Sequence, residues 1–191
     1  LRMYKKSQGE KALEEFLAYL AECRACVHAQ EARLMAAELF SGQGKYAEAL
    51  EQLDEAARSG APEMKLKAHT MRAEIYLKNG DVKRAIEGYS AALKLDARNR
   101  DLPKKIADLH YAVRDYDLAL PLYEKAMEYG SADDEAYFRA ASICESLGRT
   151  RNLEKAYKYY KAILDRFKAS AYAERARERV RFLERNFIDF K

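Results

Sequence analysis

The chain has little of what most function classes require. Its 191 residues include three prolines, eight glycines, three cysteines and no tryptophan. The prolines and glycines do not cluster, so no linker is visible, although the length allows one domain or two. No apolar run approaches the roughly 20 residues needed to span a bilayer. No signal peptide is visible, but the chain starts at Leu1 rather than Met. It therefore reads as a processed product or an excerpt, and its compartment stays open. No glycine-rich phosphate loop follows a strand pattern, no metal-ligand cluster stands out, and no Ser/His/Asp spacing suggests a nucleophile. These absences argue against an enzyme.

Apolar residues make up 49% and charged residues 35%, and the apolar ones are periodic. That mixture suits amphipathic helices and argues against disorder. The net charge of +4 is unevenly placed: residues 149–191 hold 13 Lys/Arg and 6 Asp/Glu, or +7. The other 148 residues hold 22 and 25, or −3. An acidic body followed by a basic tail is more informative than the total.

What is present is a repeat. Ala85, Tyr89 and Ala92 recur as Ala119, Tyr123 and Ala126, each 34 positions on. Their spacing of i, i+4 and i+7 places all three on one helix face. The alanines permit close helix approach, and the tyrosine fills the gap between hairpins. Ala73 and Tyr76 belong to the preceding helix, which Asn79-Gly80 closes. Neither helix can bury its face alone, so stacked neighbours supply the core. A fixed 34-residue period of this kind resembles the tetratricopeptide repeat family.

The resemblance implies an all-α fold: an α-solenoid, or right-handed superhelix, of helical hairpins with a C-terminal capping helix. Residues 1–29 read as an N-terminal helix or partial repeat, with Ala12, Phe16 and Tyr19 on one face and helix continuing through residues 21–30. Four repeats follow at about 30–63, 66–99, 100–133 and 134–168. Gly60 stops one helix and Pro62 opens the next, at a junction two residues longer than the period. Pro121 near the start of a second helix should remove at most one backbone bond. Ser131, with an acid three residues on, reads as a helix N-cap. Residues 149–152 lengthen the turn inside the fourth hairpin. Residues 169–191 form the cap, with Ala173, Ala176, Val180, Leu183 and Phe187 in one stripe and arginines on the other faces.

Cys23 and Cys26, followed by His28, admit three readings. They are helix neighbours that simply pack, a redox pair, or ligands of zinc or haem. Haem attachment needs His directly after the second cysteine, and zinc needs further ligands at suitable spacing. Packing is preferred, and no zinc, haem or other cofactor is expected. His110, at a position usually given to a large aromatic, reads as a packing residue.

The family places ligands against a concave face lined by the first helix of each hairpin. Carried over by position, that groove comprises Leu34 and Glu38 in the first repeat and Thr70, Glu74 and Leu77 in the second. The third gives Lys104, Asp108 and Tyr111, and the fourth Phe138, Ser142 and Glu145. Glu31, Ser41, Lys67, Asp101 and Glu135 belong to the same face. Glu38, Glu74 and Asp108 stand where chaperone-binding members carry the asparagine of a lysine–asparagine clamp, so a terminal carboxylate would be repelled. The expected function is a non-catalytic protein-interaction scaffold. Its partner is another protein, envisaged as a basic amphipathic segment, with self-association as one use and no small-molecule substrate. The segment Ala162 to Leu183 is similar to the final helices of bacterial envelope members of the family. That resemblance implies an envelope or motility assembly, favouring the periplasm. The alternatives are a cytoplasmic assembly adaptor or nucleic-acid binding through the basic tail.

Overall fold

The computed structural model describes residues 2–23, 26, 28–146 and 148–187, with side chains from residue 8 onward. Ten helices occupy the described residues, with no strand among them. They fall into two compact units, Leu1–Arg98 and Asn99–Lys191. The first holds α1 (Arg2–Glu22), α2 (Ala29–Gly42), α3 (Tyr46–Ser59), α4 (Pro62–Lys78) and α5 (Val82–Leu95). The second holds α6 (Leu102–Ala112), α7 (Tyr116–Glu128), α8 (Asp134–Glu145), α9 (Leu153–Arg166) and α10 (Ala173–Asn186). Both are helical-repeat stacks in the all-α solenoid class.

The repeated small and aromatic positions explain the packing. Ala49, Leu53 and Ala56 on α3, Ala85, Tyr89 and Ala92 on α5, and Ala119, Tyr123 and Ala126 on α7 are all buried. On α9 the same face is Ala156, Tyr160 and Ile163. Each α5–α4 type contact needs a small residue, and Gly88 goes further: a Cβ there would sit 3.0 Å from the Ala73 Cβ and 3.2 Å from the His69 carbonyl oxygen.

The hairpin turns use one left-handed residue each. Gly44 and Gly80 have φ of +77° and +76°, where glycine pays no Cβ penalty. The equivalent position 34 residues after Gly80 is Arg114, which adopts φ of +63°. The starts of α5, α8 and α9 are fixed by side chains accepting backbone N–H bonds. Asp81 accepts from Arg84 N at 3.0 Å, Asp133 from Ala136 N at 2.9 Å and Asn152 from Lys155 N at 2.9 Å. Ser131 is thus not the cap of α8. Its hydroxyl instead donates to the carbonyls of Ala126, at the end of α7, and Arg100.

Two further expectations change. Residues 21–30 do not stay helical: α1 ends at Glu22 and α2 begins at Ala29. Cys23 and Cys26 are joined by a disulfide in this turn, Cα atoms 5.5 Å apart, and the Cys26 carbonyl accepts from Ala29 N. By contrast, α7 runs through Pro121 to Glu128, because a proline this early displaces little of the helix ladder. His110 is buried, with Nδ1 3.2 Å from Asp115 Oδ2.

Candidate functional site

In the first unit, α2 and α4 leave an open cleft of 420 Å³ between them. Glu38 and Ser41 line one wall, Lys67, Glu74 and Lys78 the other, over Met71 and Ile75. The Lys78 ammonium donates to the Ser41 hydroxyl at 3.4 Å. Burial, reinforced by the Glu74 charge, pushes the Tyr89 phenol up to about 12. Thr70 and Leu77 are half-buried, and the Thr70 hydroxyl donates back to the Leu66 carbonyl.

Leu34 does not belong to this surface. It is 3% exposed and shares a core cluster with Leu13 and Phe40. The reason is α1, which packs on α2 and turns the Leu34 side of the helix into interior. Met35, 43% exposed, takes the surface place beside it.

The second unit draws its first-helix residues into one bonded network. Asp108 accepts from Lys104 Nζ at 3.0 Å, Arg139 Nη1 at 2.7 Å and the Tyr123 hydroxyl at 2.7 Å. Arg139 also bonds Glu135 at 2.6 Å and lies over the Tyr111 ring at 5.1 Å. Burial would lower the Lys104 ammonium, but its hydrogen bonds and charge pairing with Asp108 and Asp133 outweigh this and hold it above its ordinary value. Burial, with the Asp108 bond, raises the Tyr123 phenol far above the usual range.

At the far end of this face α10 takes part. Arg179 grips Glu145 through Nε at 3.1 Å and through Nη2. Tyr160 donates to the same carboxylate at 3.1 Å, and burial first, then the Glu145 charge, pushes its phenol up to about 12. Tyr172 donates to Glu135 at 3.1 Å and stacks on Phe138, ring centroids 4.7 Å apart. The Arg175 guanidinium lies 5.0 Å over Phe138. The Ser142 hydroxyl donates to the Phe138 carbonyl at 2.9 Å and sits 3.4 Å from the Tyr160 hydroxyl.

Neither unit therefore presents a face of carboxylates alone. Glu38 and Glu74 share their cleft with Lys67 and Lys78. Asp108, Glu135 and Glu145 are each met by a cation of their own unit. The first-helix positions taken from the 34-residue period do not include Arg139, Arg175 or Arg179. Arg139 was detectable, since Glu135 precedes it by four residues on one helix. Arg179 lies 34 residues from Glu145, and no local signal joins them.

Among the described residues no three His, Cys, Asp or Glu side chains gather as a metal site. No helix of the described residues is long and apolar enough to cross a membrane. Cys144 is buried, and burial, then the Glu124 charge, pushes its thiol up to about 11. It is a packing residue rather than a nucleophile.

A family model described as the tetratricopeptide repeat matches residues 34–100 and 104–173. The fold is similar to that of solved structures of MamA, at 18% identity and TM-score 0.62, over 86% of this chain and 91% of that one. PilF of Pseudomonas aeruginosa matches at 20% identity and TM-score 0.62, over 86% and 72%. YrrB matches at 17% identity and TM-score 0.66, over 92% and 87%. A comparison with curated proteins returned no match. The repeat face, the hairpin turns and the two matched blocks agree: the chain belongs to the tetratricopeptide repeat family.

Proposed function

We propose that the protein is a non-catalytic scaffold that holds a segment of another protein, and that the α2–α4 cleft is its main contact surface. The family and the structurally similar proteins are typically non-enzymatic scaffolds. The observation that carries the reading is the open cleft itself, with the half-buried Met71 on its floor and charges of both signs on its walls. The floor supplies contact area, which dominates affinity, while Glu38, Glu74, Lys67 and Lys78 select orientation. An amphipathic segment with its basic side toward Glu38 and Glu74 fits best. In the second unit, Tyr111, Phe138, Ser142 and the carboxylates are tied to their own side chains, so that face contributes less. YrrB is described as a protein with an unusual peptide-binding site, which supports a peptide-like occupant. Likeness to PilF, a Pseudomonas aeruginosa protein, supports a bacterial setting, and the resemblance of Ala162 to Leu183 to bacterial envelope members favours an envelope or motility assembly.

The test is affinity capture with mass spectrometry from the source cells, comparing the parent with a Glu38→Lys, Glu74→Lys double variant. The double variant should lose the captured partner while its helical circular dichroism stays unchanged. Capture of the same partner at the same yield removes the α2–α4 cleft from consideration.

A further inference from the structure

A second cleft lies in the first unit, between α1 and α2; Glu31 alone of its lining was expected on the groove face, and the α2–α4 reading leaves the cleft unused. It encloses 460 Å³ and is lined by Glu15, Phe16 and Tyr19 from α1 and by Glu31, Ala32 and Met35 from α2, with His28 at one edge. Its floor is apolar and aromatic; Glu15 and Glu31 stand on its rim as carboxylates. Glu31 has only the His28 ring near it, at 3.0 Å, among the described ion pairs.

The complementary surface lies on α10. Phe182 is 41% exposed and Phe187 54% exposed, their ring centroids 5.7 Å apart. Large aromatics left in water at this density mark a contact surface more often than chance. Phe182 is also held in place: the Arg179 guanidinium lies 4.4 Å over its ring, and Glu145 holds Arg179. A prearranged anchor loses little freedom on binding. Arg181 and Arg185, both exposed, flank Phe182 one and three residues away. The surface therefore joins two exposed aromatic rings to two exposed cations near them in the chain, opposite in charge to the rim of the α1–α2 cleft.

We propose that these surfaces bind each other between two copies of the chain. Phe182 and Phe187 of one copy enter the α1–α2 cleft of a second, with Arg181 and Arg185 beside Glu15 and Glu31. The contact joins two different patches, so it is heterologous, and a bound pair still offers one free patch of each kind. Growth into rings or filaments follows from that geometry. Two rings and two ion pairs make a small interface, so association is weak, concentration-dependent and favoured by low salt. The proposal is independent of the α2–α4 cleft, and a variant at Glu38 and Glu74 should self-associate as the parent does.

Sedimentation equilibrium of the full chain tests it. The parent should rise in average mass with concentration, and a Phe182→Ala, Phe187→Ala variant should stay monomeric over the same range. A Glu15→Lys, Glu31→Lys variant and an Arg181→Glu, Arg185→Glu variant should each lose association by about tenfold or more alone. Mixed one to one, their charges are again opposite, and association should return. All these side chains are exposed or line the open cleft, and circular dichroism checks that each variant is folded. A monomeric parent throughout the range overturns the proposal. So does undiminished association of the phenylalanine variant, or a mixture that associates no better than its separate components.

Discussion

Glu74 of the first unit and Asp108 of the second stand 34 residues apart at one repeat position, yet their surroundings differ. Each has the repeat's buried tyrosine within electrostatic range, Tyr89 and Tyr123 respectively. Asp108 is further enclosed by Lys104, Arg139 and a tyrosine hydroxyl, whereas Glu74 is an exposed wall of a cleft. The second unit repeats this device: Tyr159 donates to Glu124, Tyr160 to Glu145 and Tyr172 to Glu135. Lys155 and Arg179 pair with Glu124 and Glu145 in turn. A buried tyrosine ring carries its hydroxyl inward, and that hydroxyl needs a partner. One repeat position thus yields an exposed carboxylate at Glu74 in one unit and a cross-braced one at Asp108 in the other.

The sharpest way to break this comparison is to remove the cation that braces the second unit. Arg139→Ala removes one partner each from Asp108, 27% exposed, and Glu135, 37% exposed, and should cost about 1–2 kcal/mol. Glu74→Gln, at the matching place in the first unit, should cost less than about 0.5 kcal/mol. Urea unfolding followed by circular dichroism measures both, and equal losses would mean that the network adds nothing special.

The next effect should be the same in both units. Ala119→Leu and Ala85→Leu each push a larger side chain into a fully buried position, costing about 1–3 kcal/mol by overpacking. An unchanged melting midpoint for either would refute close helix approach at that hairpin. A smaller change runs the other way. Arg114→Gly replaces the left-handed arginine with the residue used at Gly44 and Gly80. It should raise stability by up to about 1 kcal/mol, the relieved Cβ strain exceeding the added chain entropy.

The smallest effect depends on pH and belongs to the first unit. Burial, and then the Arg72 charge, hold the His69 imidazole below its ordinary value, against the opposing pull of Asp54. The unfolded chain therefore binds this proton more readily than the folded one. Stability is complete above about pH 6.5, the unfolded value, and falls as pH drops below it. Replacing His69 with Gln should flatten that part of the stability–pH curve.

The hairpins were legible because their signal is local: alanines and a tyrosine at i, i+4 and i+7 fix a face, and Gly80 or Pro62 fixes an end. The fold class followed from repetition of that signal. Leu34 was misread because its surroundings depend on α1, whose packing leaves no mark within α2. Ser131 has the chemistry of a cap, but Asp133 lies two residues nearer the helix and takes the bond. The break at Cys23 and Cys26 was hidden because residues 21–30 contain no glycine or proline to mark a helix end. In the candidate site, the first-helix positions were legible from the period, and the charges that balance them were not. Arg175 and Arg179 reach Phe138 and Glu145 from another helix, a pairing set by tertiary packing alone.

The most direct test of the scaffold reading places a photoreactive side chain at Ser41, on the wall of the α2–α4 cleft, and at Lys83, exposed on α5 away from that cleft. Cross-linking in the source cells followed by mass spectrometry then reads which surface meets a partner. The account predicts one recurrent protein cross-linked through position 41 and lost in the Glu38→Lys, Glu74→Lys background, with none through position 83. Cross-links through position 83 alone, or cross-links at 41 that persist unchanged in that background, would contradict it.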